Sequence, residues 1–278
     1  MYGILTASPD LAREGVGDFV HFVADDVSGR RSDPHGGAIN SVACWGDTLA
    51  VRDDPDRAAV AADGTRATPG AEGHHWGTVC PTDPDYRAGL LDRIEAVGAA
   101  GDVRLTTVGF PGAEFCRCSR CERRFAASDR DDRVAWRTEA ITRFVREASD
   151  RAAGDLLVTL YPDPYPGNLR ERAGLDPTSL DPHVDGFLVP LCGIGYETTY
   201  WVESLARGFA RELGELDASL TVQLSAAEAD ADRLVDVTRQ IDPHADAVVF
   251  GTDEESADTA REVLDRCETA GAPPSPTA

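Results

Sequence analysis

Short apolar runs rich in β-branched residues alternate with segments of helical periodicity along most of this 278-residue chain. Several runs are continuously apolar, such as LLVTL at residues 156–160, which is typical of strands buried on both faces of a parallel sheet. Strands are predicted at residues 1–5, 38–44, 103–108, 156–161, 186–191, 220–224 and 247–251. The poorly patterned, Gly- and Ala-rich region 51–79 has room for an eighth strand, or is instead a long functional loop.

Helices are predicted between these strands, at residues 132–152, 197–213, 232–241 and 255–267. The second of them has the clearest apolar stripe, formed by Trp201, Leu205, Phe209 and Leu213. A long alternation of strands and helices implies parallel βαβ units, and the length of the chain fits one barrel better than two domains. We therefore predict an α/β fold, a single (β/α)8-type TIM barrel over residues 1–270. The sequence leaves open whether the eighth strand is regular, irregular or missing, and predicts a Pro-rich disordered tail at 271–278.

The charge balance is strongly acidic. Asp and Glu number 49 against 27 basic residues, which gives a formal net charge of -22, and every basic residue is Arg. Self-repulsion at this charge nearly vanishes at multimolar salt, where the screening length falls to a few ångströms. Because the acidic residues are spread along the whole chain, we interpret them as halophilic adaptation, as in salt-loving archaea, rather than as a surface for a basic partner. The lack of a basic stripe argues against nucleic-acid binding.

The sequence indicates neither a membrane span nor a targeting segment. Residues 1–12 contain no basic n-region, and no run reaches the roughly 18 apolar residues that a span needs. We therefore expect a cytoplasmic protein without membrane contact, whose seven cysteines are thiols or metal ligands rather than disulfides. The residues carry no signal for the oligomeric state.

A cluster of cysteines is the sharpest motif of the chain. Cys116, Cys118 and Cys121 are close enough in sequence for their thiols to turn inward onto one ion, and zinc takes four such ligands at about 2.3 Å. Cys80 is the best candidate for the fourth ligand, because it opens the turn-forming segment CPTDP before a helix. Four thiolates leave no open position, so the predicted Zn2+ is structural. The alternative is a set of unligated thiols, which is the expectation for the isolated cysteines at 44, 192 and 267.

Two segments carry a resemblance to a known family, CPTDPDYR at residues 80–87 and GFPGAEFCRCSRCERRF at residues 109–125. Together they resemble the β-galactosidases of glycoside hydrolase family 42 and related glycosyl-hydrolase-like barrels, in which a Cys-Pro turn and a later Cys-x-Cys-x-x-Cys jointly hold zinc. The segment AWRTEAITRFVRE at residues 135–147 looks like the Trp-Arg helix that follows the cluster in those barrels. The resemblance implies a glycosidase-type barrel whose zinc ligands are Cys80, Cys116, Cys118 and Cys121.

The chain departs from that family where the catalytic carboxylates stand. The family's acid/base Glu ends the strand before the cysteine cluster, where this chain has Thr106 and Thr107. The family's nucleophile Glu lies near the end of a later strand, where the segment LTVQLSA offers Gln223, a candidate for substrate binding. A glycosidase needs two carboxyl groups, about 5 Å apart for retention and farther apart for inversion. Any catalytic pair in this chain must therefore come from other positions.

Three acidic residues near predicted strand ends are the catalytic candidates, because barrel enzymes place their chemistry there. They are Asp163, Glu114 and Glu197. Each also has a structural interpretation. Asp163 would cap a loop shaped by prolines, Glu114 would be a solvated loop charge, and Glu197 would complement the dipole of a helix start.

Aromatic and histidine side chains near the same strand ends are the candidates for binding a sugar ring. They are Trp45, His75, Trp76, Tyr161, Tyr165 and Tyr196. His75 and its neighbour His74 can also act as acid, base or metal ligand near neutral pH. The alternative for this pair is an ordinary surface turn.

Three functional hypotheses follow from these residues. The first is a carbohydrate-active barrel, a glycoside hydrolase that acts on an unknown glycan and carries a structural zinc. The second is a glycosidase-like barrel that has lost its chemistry and at most binds a small-molecule or oligosaccharide ligand. The third is a metal-dependent hydrolase built on His74 or His75, although these histidines are not at ligand spacing on one helix.

Overall fold

Eight parallel strands close into a barrel in chain order. The computed structural model describes residues 1–193, 196 and 198–271. The strands are β1 Tyr2–Thr6, β2 Phe19–Phe22, β3 Ile39–Ala43, β4 Val103–Thr106, β5 Leu156–Thr159, β6 Gly186–Pro190, β7 Ser219–Ser225 and β8 Ala247–Gly251. The predicted α/β fold, a (β/α)8 TIM barrel, is therefore confirmed. The tail predicted at 271–278 lies, apart from Gly271, outside the described residues.

Of the two alternatives for region 51–79, the eighth strand is wrong, because β3 at Ile39–Ala43 is followed by β4 only at Val103–Thr106. β2 lies earlier in the chain, between the first two predicted strands, and pairs with both β1 and β3. It is only four residues long, and His21 interrupts its apolar pattern. Region 51–79 instead crosses over itself through isolated bridges, such as Ala58 with Val79 and Val60 with Arg66.

Helices surround the barrel and bury the outward faces of its strands. They are α1 Pro9–Glu14, α2 Thr48–Asp53, α3 Pro84–Gly98, α4 Ser119–Ala126, α5 Arg133–Ser149, α6 Asn168–Ala173, α7 Pro177–Leu180, α8 Thr199–Leu213, α9 Ala231–Ile241 and α10 Ala257–Gly271. Aspartates begin several of them. Asp83, Asp132 and Asp230 each accept hydrogen bonds from backbone N–H groups of the first helical turn, which satisfies donors that a helix start leaves free.

Helix α8 buries Phe209 and Leu213 as predicted, and Leu205 is partly buried against the core. Its buried residues are Val202, Ala206, Gly208, Phe209 and Leu213, which recur at the 3.6-residue period of a helix. Trp201, predicted to belong to the stripe, lies beside it and is 64% exposed. No helix in the described part of the chain is long and apolar enough to cross a bilayer.

Candidate functional site

The strand register determines which side chains point into the barrel. Val103 faces Gly98 of α3, since a Cβ atom on that glycine would lie 3.5 Å from Val103 Cγ2, so Val103 points outward. Side chains alternate along a strand, and therefore its neighbour Arg104 points inward. Register partners share a face, which extends the assignment around the barrel. The interior face carries, among others, Leu5, His21, Ser41, Arg104, Thr106, Thr159, Pro190, Thr221, Gln223 and Gly251.

The interior face is open to solvent at the carboxyl ends of the strands, an opening that we call the barrel mouth. Thr106, Thr159, Pro190 and Gln223 are partly exposed there. Residues one step deeper, among them Arg104, are buried. Gln223, predicted to bind substrate, therefore lies at the floor of the mouth.

The interior face contains a cation and no carboxylate among the residues of the eight strands. Arg104 is 4% exposed, and burial lowers its pKa to about 10. Burial, and then the positive charge of Arg104, hold the pKa of His21 well below its usual range. His21 is therefore a neutral imidazole at neutral pH. The Arg104 Nε, both ring nitrogens of His21 and the Thr159 hydroxyl lack a hydrogen-bond partner.

Two of the three candidate carboxylates, Asp163 and Glu114, lie on loops that follow barrel strands. Asp163, in the loop after β5, accepts hydrogen bonds from Tyr165 N at 3.2 Å and Asn168 Nδ2 at 3.1 Å. These bonds shape its loop and leave the carboxylate half-buried. Glu114 is exposed in the loop after β4. Glu197 lies outside the described residues. No contact joins Asp163 to Glu114 in the described part of the chain.

A buried arginine ties the loops of Asp163 and Glu114 together. Arg137 of α5 is 1% exposed, and it donates hydrogen bonds to Ala113 O at 2.7 Å and to Arg172 O. Ala113 belongs to the β4 loop, while Arg172 belongs to α6, directly after the β5 loop, and lies over the Tyr161 ring. The sequence gives no sign of this role, because Arg137 sits within a helix among exposed arginines of the same type.

Exposed aromatic rings lie on the mouth side of the barrel. Tyr165 is 72% exposed in the β5 loop, and Tyr200 and Trp201 are each 64% exposed in the first turn of α8, which follows β6. We call these three residues the aromatic platform. The rings of Tyr200 and Trp201 meet edge to face at 5.3 Å. The β5 loop packs on α8, because a Cβ atom on Gly208 would lie 2.7 Å from the Pro164 side chain.

Two other predicted sugar-binding aromatics are buried in structural roles. Trp45 is fully buried, its ring 4.6 Å from Phe144, and its Nε1 donates to Val108 O. It packs between the barrel and the helices, so the expected position on the rim is wrong. The Tyr196 hydroxyl donates to Leu191 O at 3.0 Å and accepts from Ser225 N at 2.9 Å, which ties together the ends of β6 and β7.

The histidine pair lies in the long loop before α3. His75 is exposed and Trp76 is half-buried, with their ring centroids 6.4 Å apart. His74 packs edge-on against Phe115, 5.2 Å between ring centroids. In the described part of the chain neither histidine belongs to a cluster of ligand side chains, and so no contact there supports a histidine metal centre.

The four predicted cysteine ligands converge. Cys80, Cys116, Cys118 and Cys121 have sulfur atoms that all lie within 4.8 Å of one another. Sγ of Cys80 is 3.4 Å from that of Cys121 and 3.7 Å from that of Cys118. A tetrahedron with 2.3 Å metal–sulfur bonds has edges of about 3.8 Å. The sulfur positions therefore fit a four-thiolate metal site closely.

Backbone groups and a helix hold the four sulfurs in place. Val60 N donates to Cys116 Sγ at 3.3 Å, from the long loop that precedes Cys80. Cys118 is the N-cap of α4, and its sulfur accepts from Cys121 N at 3.5 Å. N–H donors of this kind stabilise thiolates. The cluster thereby fastens region 51–79 to the loop after β4.

Comparison with solved structures finds the same kind of barrel. An α-L-fucosidase isoenzyme 2 from Paenibacillus thiaminolyticus matches with a TM-score of 0.58 at 14% identity, over 83% of this chain and 37% of the fucosidase chain. The glycoside hydrolase domain of PelA from Pseudomonas aeruginosa matches with a TM-score of 0.52 at 13% identity, over 95% of each chain. Identities this low show the fold alone. This chain spans little more than a third of the fucosidase.

Searches by sequence return nothing comparable. No protein-family model matches the chain, and no curated protein matches it. Membership of glycoside hydrolase family 42 therefore stays a prediction.

Proposed function

We propose that this chain is a carbohydrate-active barrel, a glycoside hydrolase that acts on an unidentified glycan. The observation that carries the proposal is the exposure of the aromatic platform residues in the segments that follow β5 and β6, the first of which also contains Asp163. Exposed aromatic rings gathered on one side of a protein mark a binding surface. Sugar rings present apolar C–H faces that stack on such rings, while their hydroxyls suit the Thr and Gln side chains of the mouth floor.

The hydrolytic step in this proposal falls to carboxylates on loops. Glycoside hydrolysis needs one carboxyl group as acid and a second as base or nucleophile. Because the strands place no carboxylate on the interior face, we assign the pair to Asp163 with Glu114 or Glu197. Arg137 supports this assignment, since it fixes two of the three loops relative to each other. By their names, the two structural neighbours are also glycosidases.

The test is hydrolysis of a panel of aryl glycosides and oligosaccharides in concentrated KCl. We expect turnover by the native chain, and a loss on the order of 10²–10⁴-fold in Asp163→Asn with unchanged melting, as for removal of a catalytic acid or base. Glu114→Gln and Glu197→Gln identify the second group. Asp236→Asn on exposed α9 is the matched control, since it removes the same charge far from the mouth.

Turnover that survives all three substitutions would refute the assignment of the carboxylates. Binding of saccharides without turnover on any substrate would refute hydrolysis, and would identify the chain as a saccharide-binding barrel that has lost its chemistry.

The metal in this proposal is a structural Zn2+ held by Cys80, Cys116, Cys118 and Cys121. Four thiolates fill a tetrahedral zinc shell and leave no position for water or substrate. The ion would therefore brace the loops after β3 and β4 and take no part in catalysis. The acidic surface supports a salt-rich cytoplasm as the working environment, because the net charge of -22 is tolerated best where salt screens it.

A further inference from the structure

Arg104 is a buried cation without a counter-charge. It is 4% exposed inside the barrel, its Nε has no hydrogen-bond partner, and no ion pair joins it to residues 1–193, 196 or 198–271. Two other arginines with little exposed area have partners, although the Nε of Arg137 also lacks one. Arg137 donates to two carbonyl oxygens, and Arg93 pairs with Asp25 at 2.6 Å. A buried guanidinium group without a counter-charge lowers the stability of the folded state.

Two further groups beside this cation also lack partners. His21 lies near enough for the charge of Arg104 to act on its ring, and neither of its nitrogens is hydrogen-bonded. The hydroxyl of Thr159 on the same interior face has no partner either. Buried polar groups are nearly always satisfied in folded proteins. Three unsatisfied side chains that share one interior face therefore indicate a place for a ligand.

The approach to this cluster is through the barrel mouth. Thr106, Thr159 and Gln223 lie above Arg104 on the interior face and are partly exposed, with the Thr159 hydroxyl itself buried. The strand residues offer no carboxylate on the interior face to repel an anion. A group that enters the mouth thus meets hydrogen-bond donors first and the guanidinium beneath them.

We infer that the barrel interior recognises an anionic group of the substrate, so that the glycan is an acidic one. The carboxylate of a uronic acid, a sulfate ester and a phosphate ester share the required chemistry, because each accepts paired hydrogen bonds from a guanidinium. Arg104 would be the counter-ion, with the His21 imidazole and the Thr159 hydroxyl as further donors. This inference rests on the proposed carbohydrate function and adds its substrate class.

The test compares matched ligands by calorimetric titration at constant ionic strength. The ligands are glucose, glucuronate and glucose 6-phosphate, with acetate and inorganic phosphate as anions without a sugar. We expect the native chain to bind an acidic sugar at least about tenfold more tightly than glucose. Arg104→Gln should lose on the order of 100-fold of that affinity, as for removal of one partner of a buried charge pair. The control Arg151→Gln, an exposed arginine, should keep it.

The outcomes separate this inference from the function on which it rests. Equal binding of glucose and glucuronate, unaffected by Arg104→Gln, overturns the acidic substrate and leaves the carbohydrate function standing. Binding of acetate or phosphate through Arg104 without binding of any sugar overturns the carbohydrate function and leaves the anion site. Should Arg104→Gln fail to fold, Arg104→Lys keeps the charge without the planar fork. A native chain that prefers glucose overturns the inference whatever the variants do.

Discussion

Removal of metal from the four-cysteine cluster should destabilise the folded chain. The four sulfurs lie within 4.8 Å of one another, and three of the cysteines are buried. With zinc bound, the four thiolates share one dication. Without it, the thiols are left with weak mutual contacts at 3.4–3.7 Å, and the long loop before Cys80 is joined to the loop after β4 only by hydrogen bonds such as that from Arg117 N to Val60 O. The ion should therefore stabilise the folded chain directly.

The size of the effect follows from mass action. Free zinc buffered at 1,000 times its dissociation constant adds about 4 kcal/mol to the free energy of unfolding. Each kcal/mol raises Tm by roughly 2–4 °C in a domain near this size. We therefore expect chelation to lower Tm by about 8–16 °C.

The assay pairs metal analysis with thermal melting in concentrated KCl. Native protein should carry about one zinc per chain, and Cys118→Ser should lose both the metal and the response to chelator. Cys192→Ser is the control, because Cys192 lies apart from the cluster. A native chain without metal, or one whose Tm ignores a strong chelator, would show that the four thiols are not a zinc site.

Two further predictions concern buried side chains. Arg137→Met leaves the carbonyl oxygens of Ala113 and Arg172 without their donor. The substitution should lower the free energy of unfolding by about 3 kcal/mol and speed amide exchange in both mouth loops. Unchanged exchange in those loops would refute the anchoring role. His21 has a lowered pKa in the folded chain, so below pH of about 6.5 only the unfolded chain binds its proton and stability falls with falling pH. His21→Asn should therefore flatten the acid side of the stability curve relative to the native chain, and superimposable curves would show that His21 is not buried in neutral form.

Local pattern was enough to predict most of the barrel. Continuous apolar runs are the signature of strands covered on both faces, and those at residues 156–160 and 247–251 lie within or overlap β5 and β8. β2 was not predicted, because it is short and because its inward-facing His21 interrupts the apolar run. A polar residue that points into a barrel looks, in one sequence, like a residue that points to solvent.

The cysteine cluster could be predicted from the sequence, whereas the interior cation could not. Three of the four thiols are neighbours in sequence, so their spacing alone indicated a shared ion. Arg104 depends on register, because only the pairing of β4 with β3 and β5 places it on the interior face. The prediction that Trp45 binds a sugar failed because a position at a strand end does not determine whether a ring faces the mouth or packs beneath the helices.

Ligand-induced stabilisation tests most directly whether the barrel mouth binds a glycan. Thermal melting in concentrated KCl would be followed across neutral and acidic oligosaccharides, for the native chain, for Trp201→Ala, and for Leu49→Ala as the control at another exposed apolar residue. A saccharide present at 100 times its dissociation constant adds about 2.7 kcal/mol, which raises Tm by roughly 5–11 °C. We predict such a shift for the native chain and Leu49→Ala and a smaller one for Trp201→Ala. The absence of a shift with every saccharide would contradict a carbohydrate function.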